Sequence, residues 1–231
     1  MTLLKFENCL HSLINPKAGP CDHRMPPNSS HSLPGLGFFG GSFDPMHQGH
    51  LSVALATIEK FSLQKVLLCP AFFAPLREKR PVFSADHRLA MVESVTKTHQ
   101  ALLSFDHEIR AEKTCFTYET LQMVQANYPK HKIHLMLGDD QFYKFDQWKF
   151  HRQILEEFSI IVFERNQVKK SQISKTQFLA SAIHFLDNPI FPQSSTEIRD
   201  RIQQGLNISH LIPPPVLTYM KNNRLLDSDL L

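Results

Sequence analysis

The chain has 231 residues, 42% of them hydrophobic and 20% charged, which suits one α/β domain of ordinary size with a full apolar core. Its net charge of +3 is too small to indicate a nucleic-acid-binding protein, because such proteins normally carry a concentrated basic face. No apolar run reaches membrane-spanning length, Met1–Ile14 is too weakly apolar for a secretory signal, and the four cysteines lack a paired metal-ligand spacing. These features predict a reduced, cytoplasmic protein.

The beginning of the chain differs from the rest in composition. Residues 1–34 are punctuated by proline, asparagine and serine and have no sustained hydrophobic period. We therefore expect residues 1–34 to be an extension that is poorly ordered or loosely packed. The domain itself is expected over residues 35–226, followed by a tail over residues 227–231.

Predicted strands and helices alternate after this extension. Strands are predicted at Leu36–Phe39, Lys65–Pro70, Leu102–Ile109, Lys132–Leu137, Phe158–Phe163 and Ala182–Leu186. Helices are predicted from Gly49 onward, after Ser84 to about Lys97, over Phe116–Ala126, in a short region around Trp148, and over Ser194–Gln204. This alternation indicates parallel strands joined by right-handed crossovers. The fold class is therefore α/β, a Rossmann-like doubly wound parallel sheet with flanking helices.

Several polar segments come directly after predicted strands. They are the Gly40-Gly41 pair, the loop from Pro70 to Arg80, the segment Gly138–Asp140, and Arg165. In doubly wound sheets, ligands bind beyond the carboxyl ends of the strands, where the strand order reverses. Topology alone therefore predicts that these segments meet on one rim of the sheet.

The stretch Gly40–His50 combines the end of a strand, two glycines and the start of a helix. We expect Gly40 and Gly41 to form a tight turn that needs glycine's backbone freedom. Its N–H groups and the helix N-terminus would then favour an anion, and bound phosphate would raise the pKa of His47 and of His50. Two surface histidines beside a glycine turn are the plainer alternative. A zinc pair is another, but no nearby residues complete three or four ligands.

A second segment, Ser194–Arg199, has the chemistry of a phosphate cradle. Ser194 and Glu197 have capping-box spacing, so the helix is expected to begin here. Free N–H groups, hydroxyls and the Arg199 guanidinium at a helix start can bind phosphate. Taken alone, the segment also fits a capped helix with no ligand.

Both segments resemble known motifs. Gly-Gly-Ser-Phe-Asp-Pro-x-His-x-Gly-His resembles the opening motif of the nucleotidyltransferase superfamily, most closely that of the bacterial nicotinate-nucleotide adenylyltransferases. Ser194–Arg199 resembles the same family's Ile-Ser-Ser-Thr-x-Ile-Arg, with Gln193 replacing the first Ile. The resemblance implies contacts to ATP and its phosphates from Gly40, Gly41, Ser42, Phe43, His47, His50, Ser194, Ser195, Thr196 and Arg199.

Other parts of the resemblance concern the second substrate. Cys115–Leu121 resembles the family's Ser-Tyr-Thr-x-x-Thr-Leu, which lies near the pyridine carboxylate and implies a role for Thr117. Trp148 falls at the spacing of a tryptophan that stacks on the nicotinate ring in relatives, although the only tryptophan of the chain also fits a core position. Gly138, Asp140 and Arg165 match nucleotide-facing positions. With a closing helix at Ile212–Met220, the resemblance covers about residues 36–226.

Two places depart from the family pattern. Relatives carry Pro-His-Lys or Pro-His-Arg after the second strand, whereas Leu76 stands here in place of the histidine and Arg77 keeps one basic residue. Lys79 or Arg80 would then compensate for phosphate binding. Asn166-Gln167 replaces Pro-Gly, which leaves that turn less rigid.

The resemblance implies an enzyme that converts ATP and nicotinate mononucleotide to deamido-NAD and pyrophosphate in NAD biosynthesis. It implies His47, His50 and Arg199 as catalytic residues, with Mg²⁺ held mainly by the ATP phosphates and no protein metal site. Alternatives are another adenylyl- or cytidylyltransferase, acting on nicotinamide mononucleotide or phosphopantetheine, and a nucleotide-binding regulator without turnover. We do not expect an aminoacyl-tRNA synthetase fragment, since the sequence shows no anticodon or acceptor module. The sequence predicts neither a nucleic-acid nor a membrane partner and leaves a homo-oligomer open.

Overall fold

Six strands form one parallel sheet in the computed structural model, which describes residues 33–75, 79–165, 183–187 and 193–226. The strand order across the sheet is β3-β2-β1-β4-β5-β6. The strands are β1 (Gly35–Gly41), β2 (Lys65–Pro70), β3 (Leu102–Ser104), β4 (Lys132–Gly138), β5 (Ser159–Phe163) and β6 (Ile183–Leu186). This order is that of a doubly wound Rossmann-like sheet, so the predicted fold class is confirmed.

Helices connect the strands and cover both faces of the sheet. They are α1 (Gln48–Phe61), α2 (Ala85–Thr96), α3 (His107–Ala111), α4 (Thr117–Asn127), α5 (Asp139–Phe142), α6 (His151–Glu157), α7 (Ser195–Gln203) and α8 (Pro214–Asn222), with a 3₁₀ turn at Phe145–Gln147. In the part of the chain that the structure describes, no helix is both long and apolar enough to cross a membrane.

Local sequence explains where the main helices begin. Ser84 caps α2, because its hydroxyl accepts a hydrogen bond from the N–H of His87 at 3.2 Å. Ser194 caps α7 in the same way, with the N–H of Glu197 at 3.1 Å. Pro214 begins α8, where its missing N–H is not needed.

The core lies in two layers because successive residues of each strand point to opposite faces. One layer packs strand residues against α1, α2, α7 and α8, and it includes Phe39, Leu68, Met136, Ile161, Val53, Val92, Ile198 and Val216. The other packs strand residues against α4 and α6, and it includes Phe38, Leu67, Leu135, Ile160, Leu121, Val124 and Ile154. Each such side chain contributes about 1.5–3 kcal/mol of burial free energy, and together they fix the register that brings the strand ends to one rim.

The strand order reverses between β1 and β4, which are neighbours at the centre of the sheet. Gly41 ends β1 and Gly138 ends β4, so the crevice at the switch point opens beside these two glycines.

Two local predictions are wrong. The strand predicted over Leu102–Ile109 stops at Ser104, and α3 follows, where the Asp106 carboxylate and Arg110 form an i,i+4 ion pair that suits a helical turn. Gly40 and Gly41 do not form a tight turn but end β1, paired with Cys69 and Pro70 of β2.

The left-handed backbone conformation falls instead on Phe43, with φ of 47°. Phe43 accepts this conformation because its buried ring packs edge-on against Phe39 and His50. Of the sixth predicted strand, Ala182 lies outside the described residues, and β6 begins at Ile183.

Candidate active site

A cavity of about 650 Å³ opens at the carboxyl ends of β1, β2, β4 and β5. Its volume is within the usual range for small-molecule sites. Most residues that the sequence predicted for the site line it: Gly40, Gly41, Ser42, Phe43, His47, His50, Thr117, Gly138, Trp148, Arg165, Ser194, Ser195, Thr196 and Arg199. From the predicted rim, the Gly40-Gly41 pair, Gly138 and Arg165 thus form part of the wall of one cavity.

The two predicted phosphate segments touch one another. The Arg199 guanidinium donates through Nη1 to the carbonyl oxygen of Asp44 at 2.6 Å and to the Asp44 carboxylate at 3.3 Å. The Ser195 hydroxyl donates to the carbonyl oxygen of Pro45 at 3.2 Å. Through Nη2, Arg199 also donates to the hydroxyl of Thr196 at 3.2 Å. The start of α7 is thus fastened to the loop between β1 and α1, although about 150 residues separate them along the chain.

His47 and His50 form a stacked pair at the start of α1. Their ring centroids lie 3.7 Å apart with an interplanar angle of 27°. The backbone N–H of His47 donates to Nδ1 of His50 at 3.3 Å. His47 is 3% exposed, and neither of its ring nitrogens has a hydrogen-bond partner among the described residues. Two rings this close disfavour simultaneous protonation, since like charges repel.

The electrostatics of His47 differ from what bound phosphate was expected to produce. Burial, and then the charge of Arg165, lower the pKa of His47 to about 3. The protein alone therefore keeps this imidazole neutral at pH 7. A phosphate group facing the ring would have to overcome this burial penalty before His47 became charged.

The ends of β4 and β5 are joined by a buried carboxylate. Oδ1 of Asp139 accepts hydrogen bonds from the N–H of Arg165 at 3.0 Å and from the N–H of Asp140 at 2.9 Å. Gly138 leaves room for two neighbouring side chains here, because an added Cβ would lie 2.5 Å from Oδ1 of Asp140 and 2.9 Å from Cδ of Arg165, and one or both would have to shift. The close approach, not an unusual φ, explains the glycine.

The far end of the cavity carries the residues predicted to bind pyridine. Thr117 is the first residue of α4, and the preceding N-cap residue, Phe116, offers no side-chain hydrogen bond to the helix. Trp148 ends the 3₁₀ turn and packs on Phe145, with ring centroids 5.5 Å apart. Its Nε1 is buried without a hydrogen-bond partner in the described ranges. Trp148 therefore both lines the cavity and extends the core, as the two sequence-based interpretations allowed.

A few predicted residues are not placed in this wall. Asp140 is described but is not among the residues that line the cavity, and its carboxylate lies 3.9 Å from Nη1 of Arg165. Arg77, together with the departures at Leu76 and at Asn166-Gln167, lies outside the described residues.

Sequence comparison decides the family. Residues 38–201 match the cytidylyltransferase-like family model. A relative from Rhodopirellula baltica, whose curated name is probable nicotinate-nucleotide adenylyltransferase, is 31% identical over 206 residues, covering 86% of this chain and 95% of the relative. A relative of the same name from Dictyoglomus thermophilum is 34% identical over 190 residues, covering 81% and 97%. The chain belongs to the nicotinate-nucleotide adenylyltransferase family. Its predicted class, a nucleotidyltransferase enzyme, is confirmed by this membership.

Solved structures agree on the fold of this nicotinate-nucleotide adenylyltransferase family member. Plasmodium falciparum nicotinic acid mononucleotide adenylyltransferase complexed with NaAD has a TM-score of 0.67 and 19% identity, covering 86% of this chain and 100% of that chain. The same enzyme complexed with APC has a TM-score of 0.64 and 18% identity, with the same coverage. At these identities the likeness supports the Rossmann-like fold alone.

Asp44 is a site residue of this adenylyltransferase that the sequence analysis did not single out. It is 2% exposed, and its carboxylate accepts hydrogen bonds from the N–H groups of Val82 at 3.0 Å and Phe83 at 2.9 Å, besides the contact with Arg199. The signal was available, because Asp44 lies inside the Gly40–His50 motif.

Arg88 of α2 is a second residue that the sequence analysis missed. It is 1% exposed and donates hydrogen bonds to the carbonyl oxygens of Phe83, Ser42, Ala71 and Phe72. One guanidinium thus holds the loops that follow β1 and β2. No local sequence signal marks it, since an arginine on a helix ordinarily lies at the surface.

Two further charged residues line the cavity. Glu108 of α3 is 7% exposed and accepts a hydrogen bond from the Thr120 hydroxyl at 2.9 Å. Burial raises the pKa of Glu108 to about 7, although the Thr120 hydrogen bond opposes the rise. Lys149, next to Trp148, is exposed and also lines the cavity.

Proposed function

We propose that the chain transfers the adenylyl group of ATP to nicotinate mononucleotide, which yields deamido-NAD and pyrophosphate in NAD biosynthesis. The observation that carries the proposal is the contact between its two phosphate segments, Arg199 with Asp44 and Ser195 with Pro45. The contact supports one polyphosphate site built from both segments. Membership of the nicotinate-nucleotide adenylyltransferase family supports the choice of substrates.

The reaction needs no protein nucleophile. The 5′-phosphate oxygen of nicotinate mononucleotide attacks the α-phosphorus of ATP, and the bond from that phosphorus to the bridging oxygen of pyrophosphate breaks in line. Catalysis then consists of positioning and of stabilising charge on phosphate oxygens. The free N–H groups at the start of α7 and the hydroxyls of Ser195 and Thr196 suit the departing pyrophosphate.

The two histidines divide the work in this proposal. His47 is buried and kept neutral in the protein alone, so it is suited to donate one hydrogen bond from a fixed ring. His50 is only partly buried and lies at the third position of α1, where it faces the same cavity. We assign to His50 the larger share of charge stabilisation at the reacting phosphate.

Magnesium is proposed as the cofactor, carried by the ATP phosphates. Within the described ranges, no group of three or more His, Cys, Asp and Glu side chains could hold a metal ion. We propose that its ligands are mostly phosphate oxygens and water, a mode that Mg²⁺ commonly adopts. When bound, the ion would supply positive charge that offsets the negative charge of the phosphate oxygens.

At the other end of the cavity, we propose that Trp148 stacks on the pyridine ring and that Thr117 lies at its substituent. An electron-poor ring is a suitable partner for indole.

We also propose a cytoplasmic location, no nucleic-acid partner, and small-molecule substrates only. A homo-oligomer remains open to a sedimentation measurement.

The test is pyrophosphate release from ATP and Mg²⁺ with each of three acceptors, nicotinate mononucleotide, nicotinamide mononucleotide and phosphopantetheine. We expect turnover with a pyridine mononucleotide and none with phosphopantetheine. Calorimetric binding of ATP and nicotinate mononucleotide without turnover would indicate a nucleotide-binding regulator instead. Turnover with phosphopantetheine alone would overturn the assignment of substrate.

A further inference from the structure

We propose that Lys149 selects substrates with a negatively charged group on the pyridine ring over those with a neutral amide. The inference rests on the proposed function, because it names a specificity determinant within that site. Lys149 was not singled out by any sequence motif, and its placement in the structure is what suggests the role.

The ammonium group of Lys149 lies over two aromatic rings. Its Nζ lies 4.1 Å from the centroid of the Phe116 ring and 4.8 Å from the centroid of the Phe150 ring. These rings stand nearly perpendicular to each other, at 89°, with centroids 6.3 Å apart. Cation–π attraction restrains a side chain that would otherwise sample many rotamers.

No carboxylate among the described residues forms an ion pair with Lys149. Its charge therefore remains available to a ligand in the cavity. Phe116, which holds Lys149, is also the residue before α4 and gives that helix no side-chain cap. The helix dipole and the ammonium group add positive potential at the same corner, beside Thr117.

The same corner places the charge next to the proposed stacking surface. Trp148 precedes Lys149 directly, and both line the cavity together with Phe116 and Thr117. In this proposal, the substituent of a pyridine ring stacked on Trp148 meets the part of the wall formed by Lys149, Phe116 and Thr117. The residue that stacks the ring and the residue that meets its substituent are consecutive in the chain.

Glu108 is the nearby acid that this proposal must accommodate. Its carboxyl lines the same cavity, and Thr120 donates to one of its oxygens. Burial raises the pKa of this carboxyl to about 7, so its negative charge is only partial at neutral pH. A fixed ammonium group at the corner offsets the repulsion that Glu108 would otherwise exert on an anionic ligand.

A carboxylate and a carboxamide are nearly the same size and differ in charge and in hydrogen-bond donors. Backbone N–H groups can donate to the oxygen of either, so they discriminate weakly. A cation discriminates because it attracts the carboxylate and gains little from the amide. The specificity of the site is then electrostatic, and it should weaken as salt screens the interaction.

The test compares kcat/KM for nicotinate and nicotinamide mononucleotides in the wild type and in Lys149→Met, which keeps the apolar stem. We expect the preference for the nicotinate substrate to fall about tenfold, the scale of one charge contact in a partly screened site. The change should lie in KM for nicotinate mononucleotide, with kcat and the nicotinamide kinetics within about twofold of wild type.

Lys144→Met is the matched control, because Lys144 is also an exposed lysine that lines the cavity but lies before the 3₁₀ turn. We expect this variant to keep the wild-type ratio, and Lys149→Arg to keep most of it because the charge remains. The ratio should also fall as ionic strength rises from about 0.05 to about 0.5 M in wild type and in these two variants, which keep a cation at position 149, but not in Lys149→Met.

An unchanged ratio in Lys149→Met, or an equal loss with both substrates, would overturn the role of Lys149 while leaving the proposed function intact. Equal effects of Lys149→Met and Lys144→Met would overturn it as well, since they indicate a general field. A wild-type protein inactive with both mononucleotides would overturn the proposed function itself. Circular dichroism of each variant checks that the fold is kept.

Discussion

The guanidinium of Arg199 donates to Asp44 twice, to its carbonyl oxygen at 2.6 Å and to its carboxylate at 3.3 Å. The same carboxylate accepts the N–H groups of Val82 and Phe83. Asp44 is 2% exposed, so it has exchanged water for these donors. Arg199 is therefore both a candidate phosphate ligand and one of the residues that hold the start of α7 against the loop between β1 and α1.

Asp44→Asn should destabilise the protein by about 2–3 kcal/mol. The change removes the negative charge that compensates Arg199, and it replaces one acceptor oxygen with an NH₂ group that faces other hydrogen-bond donors. Urea unfolding measures this loss, and kcat should fall as well because the start of α7 is no longer held. Asp140→Asn is the control: its ion pair with Arg165 is long and partly exposed, so the change should be below about 1 kcal/mol. Equal losses of unfolding free energy in the two variants would contradict a special stabilising role for the Asp44–Arg199 contact.

His50→Ala should lower kcat at least about 100-fold, which is the scale of removing one donor that stabilises transition-state charge. KM for ATP should change much less, since the hydrogen bonds at α7 remain. Steady-state kinetics with saturating substrates make the comparison, and His210→Ala serves as the control because His210 is exposed and does not line the cavity. Near-normal turnover by His50→Ala would refute the role assigned to His50.

Glu108 should make stability fall as pH rises. Its pKa is raised from 4.5 to about 7 in the folded protein, so the folded state binds the proton more tightly than the unfolded state does. The resulting stabilisation is fully present below pH 4.5 and is lost as pH rises through about 7. Glu108→Gln keeps an acceptor for Thr120 but cannot ionise.

The difference in unfolding free energy between Glu108→Gln and wild type should therefore shift in favour of the variant between pH 5 and pH 8, by on the order of 2–3 kcal/mol. Urea titrations at both pH values give the difference, which cancels the groups common to both proteins. A difference that stays constant with pH would mean that the Glu108 carboxyl has an ordinary pKa.

Trp148 should report pyridine binding directly, because it is the only tryptophan in the sequence. Stacking of an electron-poor ring on the indole should quench its emission with a midpoint equal to the dissociation constant for nicotinate mononucleotide. Trp148→Leu should raise KM for that substrate by about tenfold while leaving KM for ATP nearly unchanged. Emission that stays constant while turnover saturates would exclude the stacking role and favour the core interpretation.

Much of the fold followed from the sequence because parallel strands buried on both faces give long apolar runs. Lys65–Pro70 was predicted to the residue, and Lys132–Leu137 to within one residue at its end. Leu102–Ile109 failed because its alternation is short, and the Asp106–Arg110 pair favours a helical turn after Ser104. Local pattern cannot weigh an ion pair of that kind against one more strand residue.

The candidate site was predictable to the extent that it lies at strand ends and inside motifs. That Gly40, Gly41, Gly138 and Arg165 line one cavity follows from topology. Arg88 and Lys149 were missed because decisive partners lie far away in sequence, the carbonyls of Ser42, Ala71 and Phe72 for Arg88 and the ring of Phe116 for Lys149. The low pKa of His47 was missed for the same reason, since burial is a property of the assembled core.

Arg88 has a mechanical consequence for how nucleotides come and go. Because one guanidinium grips carbonyls on both sides, Ser42 after β1 and Phe72 after β2, the two loops cannot separate independently of α2. We expect the two loops and α2 to move as one unit. We therefore expect any movement that admits substrates or releases products to occur on the opposite side of the cavity, in α4 and the segment around Trp148.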